Sequence, residues 1–239
     1  MSALWQRRPT PKFPRRRWRQ LADAYPHYGR LPAALKPTFD EHVRRFITSR
    51  SITGVDMKVD DDLRLLVAAS AATLSAGWPE YEWSQVAEVL LYPDSFDRDF
   101  VVGPQELAGL ADHWGTVVIS VPALRHSFEN ESDGFHVGLH ELAHLLQEPA
   151  SLSGLPRGLR TAEVREWDEI YGREMETARL GESVLDPYGG SGPREFFPVA
   201  VETFFERPVP LRERHEALYM FLRAYFGQDP AAWAGPSTD

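Results

Sequence analysis

The stretch G-L-H-E-L-A-H-L-L-Q, residues 138–147, places two histidines four positions apart with a glutamate directly after the first. The leucines around them recur at helical spacing, which predicts a helix that is otherwise apolar. Residues four apart on a helix lie one turn above each other, so His140 and His144 can direct their imidazoles at one point. The alternative, in which both histidines are core residues and Glu141 is solvated, has to bury two imidazoles in an apolar helix.

The order of these three residues is that of a zinc peptidase helix, H-E-x-x-H. Two imidazoles can share one metal ion, and zinc lowers the pKa of water towards neutrality. Glu141 points about 100° away from the two histidines around the helix, and from there its carboxylate can take a proton and hand it to the leaving amine. The motif therefore predicts a Zn²⁺ site with His140 and His144 as ligands and Glu141 as general base.

A catalytic zinc needs a third protein ligand and an open coordination position. The chain has no cysteine, and the only histidine after the motif is His215, so acidic residues are the better candidates. Glu195 and Glu202 lie seven positions apart in R-E-F-F-P-V-A-V-E-T-F-F, on nearly the same face of any continuous helix. Spacing alone leaves both open. Pro198 stands between them, and a helix tolerates a proline best near its start.

Helical patterns outnumber strand patterns along the rest of the chain. Apolar residues at helical spacing follow Pro32, and residues 60–76 open on three aspartates and continue as a helix that is apolar nearly all round. Further helices are predicted over residues 132–147 and 160–180 and in two aromatic-rich segments near the C-terminus. The runs V-A-E-V-L-L-Y-P and T-V-V-I-S-V-P predict strands of one small sheet, with D-F-V-V-G as a third candidate. The predicted fold class is α+β, mainly helical, with that sheet next to the active-site helix.

Charge divides the chain into a basic, proline-rich N-terminal extension, residues 1–30, and an acidic body, residues 31–239, which we expect to be a single domain. Residues 1–20 carry seven Lys and Arg and no acid, although the formal net charge of the chain is −9. An arm for nucleic acid is one interpretation of this segment. The acidic body would repel phosphates, so we expect no direct nucleic-acid partner and favour either a poorly ordered extension or a strap that lies against the body.

No run in the sequence approaches the roughly 18 apolar residues that span a membrane. The start M-S-A-L-W-Q-R-R has no apolar segment like that of a signal peptide. Without cysteine the chain can form neither disulfides nor thiolate metal sites. We therefore expect a cytoplasmic protein without a membrane partner.

Two segments carry a resemblance to a known family. H-E-L-A-H, followed by L-D-P-Y-G-G-S-G-P-R-E-F-F-P-V-A-V-E-T-F-F-E, resembles the Mlc titration factor A family of zinc-dependent peptidases, whose pattern is approximately H-E-F-A-H-K-L-D and then D-P-Y-x-x-x-x-P-x-E-F-F-A-V-x-S-E-x-F-F. V-L-L-Y-P-D-S-F and L-Y-M-F-L-R-A-Y-F-G-Q-D-P also look like that family, so the resemblance covers roughly residues 35–231. It implies a zincin-like metallopeptidase domain.

The resemblance also implies roles for residues outside the first motif. The family is similar at its active site to the catalytic domain of anthrax lethal factor, in which a tyrosine precedes a liganding glutamate by seven positions. Tyr188 and Glu195 have that spacing. Glu195 is then the third zinc ligand, and Tyr188 donates a hydrogen bond to the oxyanion. Glu202 becomes a residue that orients a ligand imidazole, or the alternative ligand.

Several positions depart from the family pattern, among them His136, which stands where we expect asparagine and which we interpret as a rim or packing residue. Gln147 stands where the family usually has aspartate, and we expect this change to weaken an outer contact of the site. Pro198 stands where alanine is common, and we expect it to bend the backbone just after Glu195.

The resemblance implies a cytosolic zinc metallopeptidase of aminopeptidase type, for which we expect a short peptide or protein substrate with a free N-terminus. A second interpretation is a regulatory binding protein, because the relative that names the family binds Mlc, a repressor of sugar uptake, and draws it from DNA. The metal site would then be structural or secondary. Zinc content and chelator-sensitive peptide cleavage distinguish the two functions.

Overall fold

The computed structural model describes residues 15–96, 108–111, 114–151 and 153–234. As predicted, helices dominate these ranges. In chain order the elements are α1 Arg15–Ala24, α2 Pro26–Arg30, α3 Lys36–Ser49, β1 Ser51–Gly54, α4 Asp61–Ser75, β2 Glu88–Tyr92, β3 Gly109–Ala111, β4 Thr116–Ser120, α5 Val121–Glu129, α6 Val137–His144, α7 Thr161–Arg179, a 3₁₀ turn Pro187–Gly190, α8 Pro193–Glu206, α9 Pro208–Arg214, α10 Glu216–Phe226 and α11 Pro230–Trp233. None of these helices is long and apolar enough to cross a lipid bilayer.

The four strands form one sheet with the order β1, β2, β4, β3. The predicted strands V-A-E-V-L-L-Y-P and T-V-V-I-S-V-P correspond to β2 and β4. These two strands pair in parallel, with Val89 opposite Val117. Their side chains are largely buried, as is usual for parallel strands inside a sheet. Strand β3 runs antiparallel to β4, and α6 lies against both. The sheet is therefore next to the histidine helix, as predicted, while D-F-V-V-G lies outside the described residues.

Helix α4 is the buried centre of the molecule. The side chain of Asp60 caps it by accepting a hydrogen bond from the backbone N–H of Leu63 at 2.8 Å, as the aspartates at its start predict. Small residues let α6 approach α4 closely. A Cβ added at Gly138 of α6 would lie 2.8 Å from the Cβ of Ser70 on α4. Helix α6, which carries the histidines, thus packs directly on the buried helix α4.

Helix α6 begins at Val137, so the prediction that it starts at Ser132 is wrong. The physical reason is Gly134, whose φ of 88° lies in the left-handed region and interrupts the helical path. His136 then caps the helix, with its Nδ1 accepting a hydrogen bond from Leu139 N at 3.3 Å. The prediction holds for residues 137–144, which carry the motif.

Residues 15–30, the described part of the predicted N-terminal extension, reach the core. Leu21, Tyr25 and Tyr28 are buried, and Tyr25 Oη lies 3.1 Å from Thr73 Oγ1 on α4. The edge of the core therefore does not coincide with residue 30. The division of the chain into an extension and one domain stays a prediction, and residues 1–14, which carry three of the seven basic residues of positions 1–20, lie outside the described residues.

Two glutamates of α8 tie down the turn that precedes α6. Glu202 Oε1 accepts a hydrogen bond from His136 N at 2.7 Å, and Glu206 Oε2 accepts one from Gly134 N at 3.0 Å. Burial, followed by the charges of Asp133 and Glu202, raises the pKa of Glu206 to about 10. Glu206 is therefore a neutral acid in the folded protein at neutral pH.

Replacing Glu206 by glutamine should stabilise the protein at higher pH. The wild-type carboxyl ionises in the unfolded chain but stays protonated in the folded one, so the free energy of unfolding falls as pH rises from about 4.5 towards about 10. An amide cannot ionise, and its carbonyl can still accept from Gly134. Denaturant titrations at about pH 5 and about pH 8 should show Glu206→Gln gaining over wild type mainly at the higher pH.

The control for this comparison is Glu213→Gln, which changes an exposed glutamate on α9. It should not reproduce the gain. If wild type and Glu206→Gln show the same pH dependence, Glu206 is not a neutral buried acid.

Candidate metal centre

The two histidines of α6 face one carboxylate on α8. Their ring centroids are 5.0 Å apart, as expected for residues one helical turn apart. Glu195 Oε2 lies 3.2 Å from His140 Nε2 and 3.4 Å from His144 Nε2. One ligand atom from each of the three residues fits within a mutual distance of 4.8 Å. Two helices thus bring three metal-ligating side chains to a single point.

Glu195 reaches this point from the first turn of α8. The helix begins at Pro193, whose missing amide hydrogen is harmless at that position, and Glu195 N bonds back to Gly192 O at 3.0 Å. Pro198 lies inside the helix without ending it. Because the helix starts five residues before Pro198, Glu195 sits in regular helical backbone.

The Nδ1 atom of each histidine has its own hydrogen-bond partner. Glu202 Oε2 accepts from His140 Nδ1 at 3.0 Å, and Gln147 Oε1 accepts from His144 Nδ1 at 3.1 Å. Since both Nδ1 atoms act as donors, it is the Nε2 atom of each neutral imidazole that remains as the lone pair for a metal ion. Glu202 contacts Nδ1 of His140, whereas Glu195 contacts Nε2. The two glutamates, between which spacing alone could not choose, therefore lie on opposite sides of the His140 ring.

Glu141 lies between α6 and the sheet and is only 5% exposed. Its side chain fills the space in front of Gly109 on β3, where an added Cβ would come within 2.6 Å of Glu141 Cγ. Burial raises the pKa of Glu141, although the two histidines oppose the shift. The carboxylate is thus fixed beside the histidines, and it is a stronger proton acceptor than a solvated glutamate.

Tyr188 stands at the open side of the centre. Its side chain is 52% exposed, and its ring centroid lies 6.0 Å from that of His140. Asp186 Oδ1 accepts from Tyr188 N at 2.8 Å, which fixes the backbone of the 3₁₀ turn. Just upstream, Ser183 Oγ lies 3.1 Å from His215 Nε2. The segment that carries Tyr188 is therefore anchored at both of these points.

The charges of the centre act mainly on His140 and Glu195. Burial alone would lower the pKa of His140, but Glu202 and Glu195 outweigh it and raise this pKa well above its ordinary range. Burial would raise the pKa of Glu195, but the hydrogen bonds and charges of His140 and His144 hold it well below its ordinary range. Because metals bind the neutral imidazole, a cation and protons compete for this site. The residues present therefore fit a divalent metal ion.

The comparisons with known proteins agree with this geometry. Over residues 2–227 the sequence matches the family described as glucose-regulated metallo-peptidase M90. The chain belongs to this family. It is 28% identical over 227 residues to an uncharacterized protein of Synechocystis sp., with 88% of this chain and 82% of the relative covered. It is 31% identical over 186 residues to the Mlc titration factor A of Edwardsiella ictaluri, with 70% of this chain and 69% of the relative covered.

Membership confirms the resemblance to the Mlc titration factor A family, and a metallo-peptidase family implies a metal ion. The structure of this family member brings His140, His144 and Glu195 together, with Glu141 and Tyr188 beside them. Gln147 keeps the outer contact, since its amide oxygen accepts from His144 Nδ1 at 3.1 Å; that this contact is weaker than an aspartate's stays a prediction. Sequence reasoning missed the part played by Gly109, for which no local signal exists.

A methyl group at residue 109 should displace the carboxylate of Glu141 and slow peptide cleavage. A displacement of about 1 Å can reduce a rate by about 10²-fold. Metal binding should persist, because the three atoms nearest to the added methyl group all belong to Glu141, which lies outside the proposed ligand set. We expect Gly109→Ala to lower kcat/KM on a peptide library while metal stoichiometry, measured on the purified protein, stays at the wild-type value.

The matched control is Gly172→Ala on α7, where an added Cβ meets nothing within 4 Å. This change should leave cleavage intact. If kcat/KM of Gly109→Ala equals that of wild type, Gly109 does not hold the carboxylate of Glu141 in position.

Proposed function

We propose that this chain is a zinc metallopeptidase in which His140, His144 and Glu195 bind the metal ion. The observation that carries the proposal is the approach of two imidazole Nε2 atoms to one oxygen of Glu195, at 3.2 and 3.4 Å. Two histidines and a carboxylate form the ligand set of catalytic zinc sites that keep one position open. The Nδ1 partners support it, because ligand histidines in metalloproteins almost always have such partners.

Zinc held by these residues would supply a Lewis acid that polarises a peptide carbonyl and acidifies water. Glu141 is proposed to accept a proton from water and to return it to the leaving amine. Its position beside both histidines and its raised pKa support this role, because a general base works best with a pKa near the operating pH. The contact with Gly109 holds the carboxylate in place during both transfers.

Tyr188 is proposed to donate a hydrogen bond to the oxygen that becomes negative during attack on the peptide. Its exposed phenol at the open side of the centre can reach a substrate without leaving the anchored 3₁₀ turn. A donor fixed before the reaction begins stabilises developing charge without further reorganisation. The phenol is the group of this site that faces solvent most directly.

We further propose aminopeptidase-type activity on peptides with a free N-terminus, which rests on the family resemblance. A second proposal is binding of a transcriptional repressor, supported by the name Mlc titration factor A that several relatives carry. A repressor bound to DNA would be met in the cytoplasm, which is the location we propose. The two activities separate cleanly, since loss of the metal should abolish cleavage but leave binding through another surface intact.

Glu141→Gln should keep zinc and lose cleavage. The amide is nearly isosteric and lies outside the proposed ligand set, but it cannot accept the proton, a contribution worth about 10²–10⁴-fold in rate. Zinc content of the purified variant should equal that of wild type. Treatment of wild type with a chelator should remove activity, and added zinc should restore it. A variant that cleaves peptides at the wild-type rate would refute the mechanism.

Glu195→Ala should weaken zinc binding more than Glu202→Ala. The first change removes a proposed ligand, whereas the second removes the outer partner of His140, a loss worth about 10–100-fold in affinity. Competition with a chromophoric chelator gives both dissociation constants, and the exposed Glu216→Ala on α10 serves as control. The opposite order would make Glu202 the ligand.

A further inference from the structure

Gln147 is a fully buried amide just beyond the end of α6, with 1% of its surface exposed. Its side chain uses all of its directed hydrogen-bonding groups. Oε1 accepts from His144 Nδ1 at 3.1 Å, while Nε2 donates to Arg194 O at 2.8 Å and to Gly154 O at 3.3 Å. One side chain therefore joins a histidine of α6 to the backbone of α8.

Arg194 O, the acceptor on α8, is available because of Pro198. In a regular helix the amide hydrogen of residue 198 would bond to the carbonyl of residue 194, but proline has no such hydrogen. The carbonyl of Arg194 is thereby left without its helical donor, next to Glu195 in the first turn. The side-chain amide of Gln147 donates to this carbonyl in place of the missing backbone N–H.

These contacts leave the amide of Gln147 one orientation. If the amide were flipped, its oxygen would face the two carbonyl oxygens of Gly154 and Arg194, and its NH₂ group would face His144. The observed orientation requires a hydrogen on His144 Nδ1. In the neutral imidazole, His144 Nε2 then carries the lone pair that a metal ion would bind.

We propose that Gln147 is a positioning residue that fixes the tautomer of His144 and couples it to the first turn of α8 through the carbonyl freed by Pro198. This inference rests on the proposed metal site. The coupling sets the distance between the second histidine and Glu195, because both ends of the Gln147 side chain are held. A carboxylate at this position would accept from His144 but could not donate to Arg194.

The proposal gives Gln147 two separable tasks. Donation to Arg194 is structural, and an amide hydrogen at residue 198 can replace it. Acceptance from His144 is positional, and no change at residue 198 can supply it. A purely structural glutamine would show only the first of these properties.

The test uses four full-length proteins: wild type, Gln147→Leu, Pro198→Ala and the combination of both changes. Gln147→Leu keeps approximate shape but removes both tasks, so it should lower the denaturation midpoint and weaken Zn²⁺ binding by about 10–100-fold. Pro198→Ala restores the helical bond to Arg194 and should bind Zn²⁺ about as tightly as wild type. The combination should regain part of the lost denaturation midpoint, since the bonds to Gly154 O and His144 Nδ1 stay missing, but not the Zn²⁺ affinity.

Nitrogen-15 chemical shifts of His144 in metal-free protein provide a readout that does not depend on catalysis. Wild type and Pro198→Ala should show hydrogen on Nδ1, and both proteins with Gln147→Leu should show a mixture of tautomers. Adding Pro198→Ala to Gln147→Glu, which keeps an acceptor for His144, should give tighter Zn²⁺ binding than the combination that contains Gln147→Leu.

The proposal is overturned if affinity returns together with stability in the combination, or if Gln147→Leu retains the wild-type tautomer and dissociation constant. Should Gln147→Leu alone fail to fold, the combination still decides between the two roles. Failure of the proposed peptidase function would appear instead as a wild-type protein that binds no zinc, or as cleavage by Glu141→Gln, and the tautomer result is independent of both.

Discussion

The Nδ1 hydrogen bonds of His140 and His144 determine how α6 can meet α8. An imidazole presents one nitrogen to a metal in a defined direction only when its other nitrogen is engaged. Glu202 and Gln147 fill that role, and each also binds a backbone group, His136 N in one case and Arg194 O in the other. The side chains that orient the proposed ligands are therefore the same side chains that hold the two helices together.

Two glutamates of α8, Glu195 and Glu206, differ in charge because their surroundings differ. Glu195, between the two Nε2 atoms, is held ionised by them. Glu206, about one helical turn beyond Glu202 on α8, is kept neutral by burial. On α8, negative charge is thus favoured beside the two histidines and is suppressed at the buried turn before α6.

The sequence allowed prediction of whatever depends on local periodicity. A helical period around His140 and His144 places both imidazoles on one face, and the β-branched runs correctly indicated β2 and β4. The start of α6 was mispredicted because polar Ser132 resembles a helix start, whereas the left-handed turn at Gly134 decides the matter. The contact of Glu141 with Gly109 joins residues far apart in the chain, and no periodicity reports such a contact. Spacing could not choose between Glu195 and Glu202, because both face α6 and only their distances from Nε2 and Nδ1 differ.

Two departures from the family pattern, Gln147 and Pro198, are linked in the fold through the carbonyl of Arg194. Considered separately, Gln147 looks like the loss of an acidic contact and Pro198 like a defect in the helix that carries Glu195. In the structure the proline frees the carbonyl of Arg194, and the glutamine supplies the donor that this carbonyl requires while still accepting from His144. An aspartate at residue 147 has no hydrogen to donate, and an alanine at residue 198 leaves no carbonyl in need of one. The carbonyl freed by Pro198 therefore has a donor only because residue 147 is an amide, and a residue-by-residue comparison with the family does not show this link.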